Sequence, residues 1–378
     1  MWSLPLIENI TEWLLTANKT YVLEIGSSNL RWAYGETNRP EPSLQQFRSC
    51  RSPEMMLSSL QDQYQLDSTT LSKMLKPLAD IKYGIEKYAT VILPDQAFHF
   101  GSISVPAAAS KASLLPLLER DVQKTAFLPC NSYVIKHEAS KKSDGRLTVQ
   151  YCALPARIFE SISKACALAG IIPVSVQPSF TGLFRLLNRH QIASEHPSVF
   201  LHIGNESVTM GVYEKAGMRA VNLIEFGVSN LLDAVMTGMG SNEDIAWQTL
   251  FHEPLLLEDP SASAAQKEIP AFSLVEPMLA DFLQKIYGLL LLFSSEHQQE
   301  SGYSRIVISG GGALLKNLDR LITFNLGIPT TTVSSELEHL KKHLNLPARE
   351  KLETLAPILG SLILQPTRRD RFDRVMAA

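Results

Sequence analysis

The chemistry-bearing stretch of this chain begins where Arg305, Ile306, Val307 and Ile308 run into Ser309, Gly310, Gly311, Gly312 and Ala313. Leu315, Leu318 and Ile322 then recur at helical spacing, so the pattern predicts a strand, a tight turn and a helix. Glycine in such a turn adopts positive φ and lets the backbone approach a ligand that a Cβ would repel. A helix opening after it aims its free N–H groups and the positive end of its dipole at that ligand, as anion sites do. A tight turn with no ligand uses the same residues, so the glycines alone leave both readings open.

Two other stretches echo one another. Leu23, Glu24, Ile25, Gly26, Ser27, Ser28, Asn29, Leu30 and Arg31 share a pattern with Leu201, His202, Ile203, Gly204, Asn205, Glu206, Ser207, Val208 and Thr209. Each is followed by a second apolar run, which predicts a β-hairpin turning at glycine and small polar residues. Two such hairpins imply two similar halves facing a cleft. Backbone amides and side chains of Gly26, Ser27, Ser28 and Asn29, and of Gly204, Asn205 and Ser207, then hold phosphates from opposite sides.

On these motifs the chain resembles the actin-like ATPases, the group of actin, chaperone ATPases, sugar kinases and the bacterial division protein FtsA. Within that group it is most similar to PilM, the cytoplasmic actin-like protein of the type IV pilus assembly platform. The resemblance covers about residues 21–364. It implies an α/β, ribonuclease H-like fold of two lobes with duplicated βββαβα cores and a small FtsA-type inserted subdomain. The hairpin at 23–31 is similar to the first phosphate motif, that at 201–208 to the second, and residues 308–318 to the adenosine motif. Nucleotide contacts are thereby expected at Gly26, Ser27, Ser28, Asn29, Arg31, Gly204, Asn205, Ser207, Gly227, Gly310, Gly311, Gly312 and Leu315.

Composition agrees with a soluble machine part. With 378 residues, 45% hydrophobic and 19% charged, the chain buries large cores and should form at least two domains. A net charge of −3 gives no electrostatic reason to expect nucleic acid or an acidic membrane. Cys50, Cys130, Cys152 and Cys166 lack metal or redox spacing and fit a reducing cytosol. No signal-peptide pattern and no run of about 18 apolar residues is present.

The expected division is first-lobe core at 1–97 and 153–196, inserted subdomain at 98–152, second-lobe core at 197–240 and 303–365, helical subdomain at 241–302, and charged tail at 366–378. An amphipathic helix is expected at 2–16, with Leu6, Ile7, Ile10, Trp13 and Leu14 on one face, packing on the protein or a partner. Residues 53–75 also read as helix. In the insert, a helix at 110–124 precedes two strands joined by an exposed tip at 141–145. The apolar helix at 274–293 carries Glu276, Asp281 and Lys285 and reads as core rather than membrane. The arginine-rich tail reads as a solvated terminus.

Departures from the family limit what carries over. Active relatives typically place an aspartate in each phosphate motif to position Mg²⁺ and its waters, whereas this chain has Glu24 and His202. Glutamate retains a hard oxygen ligand, one methylene displaced, so Glu24 is the candidate Mg²⁺ ligand. Histidine removes an anion and, protonated, touches phosphate directly. Arg31 stands where relatives often have lysine. Gln177 replaces a carboxylate and orients a water without accepting its proton. Glu24, Gln177 and His202 are thus the weak catalytic candidates, and hydrolysis is expected to be slow or absent.

The resemblance implies a cytoplasmic scaffold, recruited indirectly to the inner face of the cytoplasmic membrane in a pilus or type II secretion-like platform. It binds ATP or ADP with Mg²⁺, or stands nucleotide-free, and it engages the cytoplasmic N-terminal segment of a PilN-like membrane protein. The groove for that segment draws on residues 114–135, and a homo-oligomer is compatible with the family. Alternatives are an active ATPase or kinase of the same fold and an FtsA-like polymer-forming protein.

Overall fold

A computed structural model describes residues 19–36, 41–51, 67–80, 87–106, 111–125, 132–141, 146–190, 192, 196–214, 217–256, 270–296, 302–344, 346–347 and 350–363. The helix expected at 2–16, the helical reading of 53–66, the tip at 142–145 and the charged tail lie outside the described residues. The chain forms two compact units, residues 1–179 with 361–378, and residues 180–360.

The first unit opens with β1 (Lys19–Ile25), β2 (Asn29–Glu36) and β3 (Gln46–Arg51), then α1 (Ser68–Ala79) and β4 (Lys87–Leu93). Asp67 caps α1, its carboxylate accepting the amides of Thr69 and Thr70. The helix ends at Ala79, where Asp80 turns left-handed. An insert follows: β5 (His99–Pro106), α2 (Lys111–Thr125), β6 (Tyr133–Lys141) and β7 (Arg146–Pro155). The chain then returns through α3 (Ala156–Ala169) and β8 (Ile171–Pro178), with Gly170 ending α3 at φ 77°.

The main sheet has the order β3-β2-β1-β4-β8. Alternation along β1 and β2 sends Leu23, Ile25, Leu30 and Trp32 into a core with α1 and α3. Glu24 and Arg31 therefore stand on the opposite face. The insert is a three-stranded sheet, β5-β7-β6, around Leu118, Val122, Val149 and Tyr151. Tyr151 Oη donates to Asp121 Oδ2 at 2.7 Å, and burial together with that bond pushes its pKa up to about 12. This bond ties α2 to the sheet. His137 and Glu138, on the edge strand β6, take no part in the glycine turns.

α4 (Ser179–Arg189) carries the chain into the second unit. There β9 (Ser198–Ile203), β10 (Val208–Glu214) and β11 (Gly217–Ile224) precede α5 (Val228–Met239), α6 (Glu243–His252) and α7 (Pro270–Glu296). β12 (Ile306–Ser309), α8 (Leu318–Leu326), β13 (Thr330–Thr332), α9 (Val333–Glu336), α10 (Glu338–His343) and α11 (Leu352–Leu362) follow. The sheet order, β11-β10-β9-β12-β13, repeats that of the first unit position for position. The duplicated core expected from the paired hairpins is present.

α7 is 27 residues long and, with a mean hydropathy of 1.2 over its best window, is long and apolar enough to cross a membrane. Its seam of Val275, Leu279, Phe282, Ile286, Leu290 and Phe293 instead packs into the second unit's core. Phe282 stacks on Phe226 with ring centroids 4.3 Å apart. Buried one-sided packing of this kind is that of a core helix.

Candidate functional site

Both predicted hairpins are present, and their turns are built alike. The Gly26 amide donates to the Asn29 carbonyl at 2.9 Å, and the Gly204 amide to the Ser207 carbonyl at 2.9 Å. A Cβ would stand 2.9 Å from the Asn29 oxygen at position 26 and 3.0 Å from the Ser207 oxygen at position 204. These two glycines close their own turns. Ser27, Ser28, Asn205 and Glu206 form the tips.

Register then aligns the candidate side chains. In the first unit Arg31 pairs with Glu24, Glu24 with Ile92, and Ile92 with Gln177, a single row across four strands. Directly paired residues share a sheet face. Arg31 Nη1 donates to Glu24 Oε2 at 2.8 Å, the two side chains being only 14% and 10% exposed. Gln177 is buried, and its Nε2 donates to Ser361 Oγ at 2.6 Å. Replacing Ser361 by alanine should leave that amide without this acceptor and cost about 1–2 kcal/mol, measured by denaturant unfolding. An unchanged unfolding midpoint would show that the bond contributes nothing.

The equivalent row in the second unit is Thr209, His202 and Ser309. His202 Nδ1 lies 3.3 Å from Ser309 Oγ, which itself donates to the Glu353 carbonyl at 3.1 Å. The serine's one proton is thereby engaged, so Nδ1 is the donor in the His202–Ser309 contact. Thr209 stands where the first unit has Arg31. The matched stretches 23–31 and 201–209 had already set Thr209 opposite Arg31, whereas the hydrogen bonds of Ser309, Ser361 and Glu353 were not foreseen from the sequence.

The remaining glycines converge on the second hairpin. Gly310, at φ 88°, would place a Cβ 2.3 Å from the Ile203 carbonyl oxygen, and its amide donates to the Glu353 carbonyl at 2.9 Å. At Gly312 a Cβ would meet the Ile203 side chain at 2.1 Å. Gly311 alone of the three has open space around it. Gly227 abuts Asn205, whose carbonyl oxygen lies 2.2 Å from where a Cβ would be. The first amides of α5 are occupied by the turn itself: Val228 donates to the Gly204 carbonyl and Ser229 to that of Asn205. α5 thus buttresses the second turn.

The expected helix directly after the glycines is corrected. A single 3-10 turn, Gly311–Leu314, follows Gly310, and α8 begins only at Leu318. Asn317 sits at φ 65°, its side-chain Nδ2 donating to the Leu256 carbonyl, and this left-handed residue separates the two helical pieces. Leu315 is buried in the second unit's core.

A divalent cation is a poor fit to these residues. Among the described residues no group of three or more histidines, cysteines, aspartates or glutamates could hold a metal ion. Glu24 is already paired with a guanidinium. Backbone turns with small polar tips and a neighbouring arginine suit a phosphate group better.

Two five-stranded sheets of one order, each with a glycine-turned hairpin at its centre, define the actin-like fold. No family model and no curated protein matches the chain. Among solved structures, the chain is similar to one from the PilM–PilN type IV pilus biogenesis complex, with TM-score 0.70 and 18% identity over 91% of this chain and 97% of that one. It is also similar to the ethanolamine utilization protein EutJ from Carboxydothermus hydrogenoformans, with TM-score 0.51 and 10% identity over 92% and 90%. A looser match, at TM-score 0.47 and 11% identity over 95% and 98%, is MreB 5 of Spiroplasma citri bound to AMPPNP.

Proposed function

We propose that this chain is a PilM-like cytoplasmic scaffold of a type IV pilus or type II secretion-like assembly platform, reaching the membrane indirectly through a PilN-like partner. The observation that carries this reading is the likeness to a chain of the PilM–PilN complex, which extends over 91% of this chain and 97% of that one. In this reading residues 98–152 form the partner-facing subdomain, and the glycine turns hold ATP or ADP with little or no hydrolysis. The chain has no carboxylate at His202 or Gln177 to activate water, and Glu24 is engaged by Arg31. Phosphate-contacting candidates are Ser27 and Ser28 in the first unit and Asn205 and Ser207 in the second, where Gly311 has open space at its Cβ position.

Support for the partner comes from the insert. Leu115 and Leu117 on α2 are 45% and 42% exposed and Val134 on β6 is 38% exposed, although α2 buries Leu118 and Val122. Apolar side chains left outside a small core are available to an apolar partner segment. The test is fluorescence anisotropy with a labelled peptide copying the cytoplasmic N-terminal segment of the PilN-type protein from the same genome. Saturable binding, weakened at least about tenfold by Leu117→Asp, is expected. No binding by the unmodified chain, or binding indifferent to Leu117→Asp and Leu115→Asp, would remove the proposed groove.

A further inference from the structure

We propose that nucleotide binding by this chain needs no divalent cation, because the Arg31 guanidinium, fixed by Glu24, supplies the positive charge at the first turn. This rests on the nucleotide reading above. Glu24 is the one hard oxygen ligand at the two positions where active relatives carry aspartates, and its Oε2 accepts Arg31 Nη1 at 2.8 Å. A magnesium ion arriving there would have to displace a cation that cannot lose its proton, or sit beside it as a like charge. On its other side Glu24 pairs in register with Ile92, which offers no ligand. Magnesium requires a near-octahedral oxygen shell, which this row does not provide.

A phosphate meets the opposite situation. The guanidinium carries several N–H donors in a planar fork suited to phosphate oxygens. Glu24 holds that fork in place from within the same hairpin that ends in the Gly26 turn, so the charge is ordered before any ligand arrives. In the second unit the equivalent positions, His202 and Thr209, carry no carboxylate. The chain's own cation thereby takes over the charge-neutralising part of a metal ion.

Calorimetry of ATP and ADP with the full chain, once in EDTA and once with Mg²⁺, tests this. Dissociation constants within about threefold of each other are expected, with Arg31→Met weakening binding in EDTA by about tenfold to a hundredfold. Arg31→Lys should fall between, and Glu24→Gln, which holds the guanidinium less firmly, should weaken binding in EDTA by less than Arg31→Met does. Melting temperatures of the variants separate lost binding from lost folding. Electron paramagnetic resonance with Mn²⁺ should show no metal retained with the nucleotide. Binding that appears only with Mg²⁺ overturns this inference and leaves the nucleotide reading standing. Binding in EDTA that ignores Arg31→Met reduces the ion pair to a hairpin contact. Absence of binding in both conditions overturns the nucleotide reading itself.

Discussion

Gly310→Ala should destabilise the second unit by roughly 3 kcal/mol, lowering its melting temperature by roughly 10 °C, whereas Gly311→Ala should change stability by less than about 0.5 kcal/mol. The difference lies in what each backbone touches. Gly310 sits at φ 88°, and a Cβ there would overlap the carbonyl oxygen of Ile203 at 2.3 Å. That oxygen ends β9, the central strand of its sheet, so it cannot move without disturbing β10 and β12. Strain in a left-handed non-glycine residue adds to the clash. Gly311 has nothing within 4 Å of its Cβ position. Its substitution should instead weaken nucleotide binding by about tenfold, since an added methyl occupies the space proposed for the ligand. Thermal unfolding and calorimetry of both variants give the comparison. Equal stability of Gly310→Ala and the unmodified chain would contradict the observed turn, and unaltered binding by Gly311→Ala would remove that glycine from the site.

The second large effect is expected at Phe282→Ala, at about 4 kcal/mol. Phe282 is 1% exposed and stacks on Phe226, which ends the loop leading to Gly227 and α5. Deleting the ring leaves a cavity at the joint between α7 and the helix that buttresses the second turn. Tyr287→Ala on the same helix, where the side chain is 53% exposed, should cost less than about 0.5 kcal/mol. Urea unfolding of the two variants decides which face of α7 is the core face. A larger loss from Tyr287→Ala would reverse the assignment and reopen a membrane or partner role for this helix.

The substitutions bear on a common question, namely how far the turns can be separated from the framework that supports them. Gly227, Gly310 and Gly312 are required by backbone or side chains of the second hairpin, independently of any ligand. A glycine pattern of this kind can therefore be kept for packing alone. Loss of nucleotide binding with retained fold, as after Gly311→Ala, is the behaviour that distinguishes a ligand role.

The sequence by itself determined the elements and their duplication. Alternation in Leu23 to Arg31 and in Leu201 to Thr209, broken at Gly26 and Gly204, specified two hairpins. These are local properties, set by side-chain period and turn chemistry within a few residues. The glycine run specified a turn after β12 but misplaced the helix, because Asn317 is left-handed, with its side chain bonded to the Leu256 carbonyl far back in the chain. Only the tertiary structure decided which residues share a row. The ion pair of Glu24 with Arg31 follows from hairpin register, and the bond from Gln177 to Ser361 joins residues 184 positions apart. Ser309 and Glu353 meet across 44 positions. Such pairings depend on strand register and helix docking between distant segments, which hydrophobic period does not encode. That is why the sequence offered Glu24 as a candidate metal ligand, while hairpin register pairs it with Arg31.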